Sequence, residues 1–111
     1  MQITSKAETY IGFSIKSGKI VWGLDNVIVS RKPIKLILIC SSLGENSEKK
    51  LLTYASGKAI KVLKLTDRLL EDVVNKTNCK VIGLTDAHLA QAVISNSENW
   101  ATDCSKGGLN G

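Results

Sequence analysis

The sequence predicts an α/β fold: one sheet of about four strands with helices on both faces. Three observations carry this. Strand-like and helix-like patterns alternate from residue 5 to residue 94, as they do in chains that cover a sheet on each side. Leu36, Ile37, Leu38, Ile39 and Cys40 follow one another without a polar break. A strand of that kind is buried on both faces. Finally, 43% hydrophobic residues in a chain of 111 supply the core of one domain.

The elements follow in order. Ser5 and Glu8 form a capping-box start. Ala7, Tyr10, Ile11, Ser14 and Ile15 then recur at helical spacing, and Gly18 supplies the stop. Gly12 inside this helix costs roughly 1 kcal/mol against Ala, so a close packing contact is expected there. Lys19 to Trp22 reads as a short strand. Gly23 opens a strand-to-helix turn, and residues 24 to 31 read as a short helix with Asp25 in its first turn. Pro33 ends that segment. Residues 34 to 40 are the central strand.

The next helix opens at Gly44 to Ser47 and stops at Gly57. Ala59 to Leu65 is a strand. Thr66 caps a helix to about Val74, with Asp67, Glu71 and Asp72 on a solvated side. Lys80 to Leu84 is a strand, and Thr85 caps a last helix carrying Leu89, Ala90, Val93 and Ile94. Residues 95 to 111 have no periodicity and are expected to form a mobile tail. The domain therefore spans 1–94.

Composition excludes several classes. No apolar run approaches the ~20 residues that span a bilayer, and no charged-then-apolar leader opens the chain. A cytoplasmic setting without membrane contact is expected. Cys40, Cys79 and Cys104 are odd in number and are not spaced as a metal knuckle. The single histidine, His88, has no metal-binding or catalytic partner pattern. No phosphate loop, nucleophile elbow or paired carboxylates are present. No enzyme activity, metal or cofactor is expected.

Charge is more informative. The net charge is +5. Lys16, Lys19, Arg31, Lys32 and Lys35 lie close in sequence around the Gly23 turn. Unpaired N–H groups at a helix start attract anions, so this stretch is expected to meet phosphate. Asn26 offers both a donor and an acceptor to base edges.

Several strings, taken in order, resemble the kink-turn-binding ribosomal protein family, named after large-subunit proteins L-seven-Ae and L-thirty-e, and its small bacterial members in particular. IKSGKIVWG (15–23) resembles the family's first-helix exit and Gly turn. KLILI (35–39) and ENSEKK (45–50) resemble its central strand and following helix start. LEDVVNKTNCKVIGLTD (70–86) and AHLAQAVI (87–94) resemble its second loop, last strand and last helix. The resemblance implies a three-layer α-β-α sandwich with a mixed sheet. It also implies recognition of structured, kink-turn-like RNA on the ribosome, with ribosomal or translation proteins as possible partners of a monomer. In the family, the start of the second helix meets sheared G·A pairs and a later loop supports an extruded base. On this chain the first contact falls on Gly23, Asp25 and Asn26, with Val29 where the family has Lys. The second falls on Val74, Asn75, Lys76 and Lys80, with Asn75 able to take the left-handed conformation of the family's Gly. Lys16, Lys19, Arg31 and Lys32 complete the expected RNA-binding set. A protein–protein adaptor on the same fold is the alternative, suggested by Val27, Ile28 and Val29.

Overall fold

Residues 6–66, 69–97 and 100–104 are described, in a computed structural model. Ser5 and Asp67, and with them the capping box, lie outside these residues. The elements are α1 (Lys6–Lys16), β1 (Ile20–Trp22), α2 (Leu24–Ile28), β2 (Leu36–Ile39), α3 (Glu45–Lys58), β3 (Lys61–Leu65), α4 (Leu70–Val74), β4 (Val81–Leu84), α5 (Ala87–Ser95) and β5 (Ala101–Asp103). The sheet is mixed, in the order β1-β4-β2-β3-β5. β2 and β3 are parallel, and every other pairing is antiparallel.

β2 is the centre of the molecule, and all four of its residues are buried. Successive side chains point to opposite faces. Leu36 and Leu38 join a core with Ala7, Ile11, Leu70, Ala90 and Val93, from α1, α4 and α5. Ile37 and Ile39 join a second core with Val27, Leu51 and Ala55, from α2 and α3. The unbroken apolar run thus belongs to a strand covered by helices on each side. The structure is the α-β-α sandwich expected.

One close approach locks α2 down. Gly83 of β4 faces it, and a Cβ there would lie 3.1 Å from two Ile34 carbons and 3.2 Å from Val27 Cγ2. At Gly12, by contrast, a Cβ would meet nothing within 4 Å. The contact expected there does not exist.

Other boundaries differ from expectation for local reasons. The sheet has five strands, not four, because residues 101–103 pair with β3. Trp100, just before them, is buried at 4% exposure. Its indole N–H faces Glu8 Oε2 at 3.5 Å, and its carbonyl accepts from Thr66 N at 3.1 Å. Residues 100–104 are therefore part of the domain rather than a mobile tail. Thr66 is engaged there and caps no helix; α4 begins at Leu70. α2 stops at Ile28, three residues early. Val29 N bonds back to Asp25 O, and the Ser30 hydroxyl donates to Lys32 O at 2.9 Å, turning the chain away. α3 passes Gly57 and ends at Lys58, capped by Ala59 at φ 57°. Asp86, not Thr85, caps α5: its carboxylate accepts from Leu89 N at 2.9 Å.

Candidate nucleic-acid interface

The topology decides which residues can act together. β1 and β2 are both antiparallel to β4, so they run the same way. Their carboxyl ends meet the start of β4, and their amino ends meet its finish. Gly23 N donates to Val81 O at 2.8 Å, which puts the Gly23 turn at the start of β4. At the other end, Lys35 N donates to Leu84 O at 2.7 Å and Thr85 N donates to Lys19 O at 3.1 Å. The two ends are separated by the length of β4, on the order of 10 Å.

The expected RNA-binding set is therefore split. Gly23, Asp25, Asn26, Asn75, Lys76 and Lys80 share one end. Lys16 and Lys19 lead into β1 at the opposite end, and Arg31, Lys32 and Lys35 join them there because α2 carries the chain back after Gly23. The expectation that these cations surround the Gly23 turn is corrected: closeness in sequence here is not closeness in space.

At the Gly23 end, Gly23 holds φ 90°, a conformation open to glycine and strained for other residues. Asn26 Nδ2 donates to Trp22 O at 2.8 Å. That bond ties the amide of an otherwise exposed side chain to the end of β1. Asn75 takes φ 55° and ψ 47°, the left-handed form expected, at the end of α4. From the next position Lys76 reaches across to β1, with its Nζ 4.6 Å from the centre of the Trp22 ring. The two segments thus converge from opposite halves of the chain.

Lys80 is engaged. It donates to Ser42 Oγ at 2.7 Å and to Glu71 Oε1 at 3.0 Å. Glu71 also accepts from Asn78 N at 2.6 Å. The Lys80 bond above all, and then the Asn78 bond, holds the Glu71 carboxyl below its ordinary pKa. Val74 is 7% exposed and belongs to the core, so it is no surface contact. Val29 is 71% exposed, while Val27 is fully buried. The three apolar residues therefore do not form one patch.

Close by, burial would raise the Cys40 thiol, but bonds with the Ser42 side chain and backbone and with Leu70, plus the Lys80 charge, bring it below its ordinary value. Leu70 N donates to its sulfur at 3.4 Å, so Cys40 anchors the start of α4. Burial pushes the Cys79 and Cys104 thiols up. No cluster of three His, Cys, Asp or Glu side chains that could hold a metal occurs among the described residues, and none of their helices is long and apolar enough to cross a membrane.

At the opposite end, Arg31, Lys32, Lys35, Tyr54 and Lys58 line a depression of about 470 Å³. Lys19, Lys32 and Asp86 line a neighbouring one of about 420 Å³. Lys19 lies 4.0 Å from Asp86. The sequence reading missed Tyr54 and Lys58. Their four-residue spacing puts both on one face of α3, but nothing in the sequence shows which loop that face meets. It likewise missed Trp22 as the meeting point of the two segments.

The chain matches no family model and no curated protein. Solved structures do match. A protein of unknown function from Bacillus halodurans C is similar, with a TM-score of 0.74 and 23% identity over 83% of this chain and 96% of that one. At that identity the likeness is one of fold.

Proposed function

We propose that this is a non-catalytic RNA-binding protein that recognises kink-turn-like RNA, in a ribosomal setting, through the Gly23 end of its sheet. The observation that carries the reading is the convergence of the Gly23–Asn26 turn with the Asn75–Lys76 loop, joined by the Lys76–Trp22 contact. The family resemblance assigns these two segments to one RNA surface. Asn26 is exposed and held by its bond to the Trp22 carbonyl, and its amide carries the donor and acceptor that base-edge reading uses. Shape and unstacked bases are the features such a surface recognises.

The test is titration against a kink-turn RNA, the same RNA with its G·A pairs replaced, and an unrelated duplex, at near-physiological salt. The reading expects a preference of ~10-fold, about 1.4 kcal/mol, for the intact kink-turn. Equal affinity for all three overturns it.

A second reading, a protein–protein adaptor, is favoured by one observation. Asp25, Glu71 and Asp72 bring acid to this end, and Lys80 is already paired with Glu71. Absent RNA binding together with a stable protein complex selects it.

A further inference from the structure

The strongest positive charge lies away from the Gly23 end. Among the described residues lining the larger depression are Arg31, Lys32, Lys35 and Lys58, and no carboxylate is among those described residues. All four cations are exposed, and none forms an ion pair among the described residues. They come from two segments, residues 31–35 before β2 and the end of α3. Four uncompensated cations in one hollow repel one another, and a polyanion relieves that repulsion.

The shape points to a strand rather than a single ion. The two depressions adjoin at Lys32 and Pro33 and extend the hollow along this end of the sheet from Lys58 towards Lys19, where Asp86 pairs with Lys19. α2 and α3 present their carbonyl ends here, so their helix dipoles do not attract anions. Side-chain charge supplies the attraction. Tyr54, half-buried in the wall, offers an aromatic surface of the kind that packs against bases and sugars.

We propose that this groove is a second nucleic-acid contact, in which Arg31, Lys32, Lys35 and Lys58 hold successive backbone phosphates without reading sequence. It is independent of what the Gly23 end recognises. A protein with both contacts binds its RNA specifically at one end and is tethered by the backbone at the other.

The test uses the full chain and a labelled RNA duplex that contains no kink-turn, titrated over a series of salt concentrations. Failure of the kink-turn reading leaves this experiment intact. Two double variants of equal net charge are compared: K32Q/K58Q, which spans the groove, and K49Q/K50Q, on exposed residues near the other end of α3. Far-ultraviolet circular dichroism checks that both remain folded. Each lost phosphate contact makes the plot of log affinity against log salt shallower by about 0.9. K32Q/K58Q is therefore expected to lower duplex affinity roughly tenfold and the slope by about two. K49Q/K50Q should change affinity by less than about twofold. Equal losses in both variants, no loss in K32Q/K58Q, or no duplex binding by the unmodified protein would each overturn the proposal. So would tighter binding of a polyglutamate peptide than of the duplex at equal charge, which would make the groove's partner an acidic protein.

Discussion

Lys76 stands over the Trp22 ring, 4.6 Å from its centre, and joins the loop after α4 to the end of β1. A cation over an indole face at a partly exposed site is worth about 0.5–1 kcal/mol. A double-mutant cycle with Lys76→Met and Trp22→Leu, measured by denaturant unfolding, should return a coupling of that size. On the proposed function, Lys76→Met also lowers kink-turn affinity more than duplex affinity.

Val29, just after α2, has most of its side chain in water. Val29→Lys should therefore leave the thermal midpoint almost unchanged, since exposed substitutions cost within about 0.5 kcal/mol. If the Gly23 end binds RNA, the added charge should tighten the kink-turn complex severalfold. No change in affinity would count for the adaptor reading.

Two glycines should respond in opposite directions to the same substitution. Gly12 is helical with open space where a Cβ would go, so Gly12→Ala should stabilise by about 0.5–1 kcal/mol. Gly83→Ala would press on Ile34 and Val27, both buried and both β-branched, with little room to yield. Overpacking of this kind costs about 1–3 kcal/mol. Urea unfolding of the two variants checks both signs.

Trp100 is buried against α1 and feeds β5. Trp100→Ala should cost about 3–5 kcal/mol. A chain ending at residue 97 should lose at least as much, because the Thr66 backbone N–H would lose its acceptor as well. A tail without structure would be removable at no cost, and thermal melts separate the two cases.

Acid should loosen the loop at the Gly23 end. The Glu71 carboxyl, ordinarily near 4.5, is lowered by its bond to Lys80. A depressed carboxyl contributes stability in full above its unfolded value and loses it as pH falls through the folded one. The thermal midpoint should therefore decline below about pH 4.5, and Glu71→Gln should flatten part of that decline. Asp86, ordinarily near 3.8 and lowered chiefly by the Leu89 N–H it caps, acts in a more acid window and is untouched by the variant.

Much of this architecture was legible in the sequence, and the exceptions have physical causes. Leu36 to Cys40 could only be a strand covered on both faces, and Gly18 and Gly23 do mark the bends on either side of β1. Asn75 was readable as a left-handed residue and is one. β5 was not readable, because three residues, Ala-Thr-Asp, carry no periodicity of their own. Its one signal was Trp100, too large and apolar for a solvated stretch. The division of the cations was not readable either. Arg31 and Lys32 lie within ten residues of Gly23 in the sequence, yet a helix of five residues carries them to the far end of the sheet. Lys58 and Tyr54 join them only through the packing of α3.

The strand order has a consequence for how the protein is made. β4 lies between β1 and β2, so the first two strands never touch each other. A chain leaving the ribosome can pair β2 with β3 early, but β1 has no partner until residues 81–84 have been synthesised. Until then Ile20, Val21 and Trp22 must wait unpaired, and the core under α1 and α5 lacks Ile82, Leu84, Ala90 and Val93. Folding is therefore held back until most of the translation is done, and the nascent chain depends on its β2–β3 pair and helices for protection in the meantime.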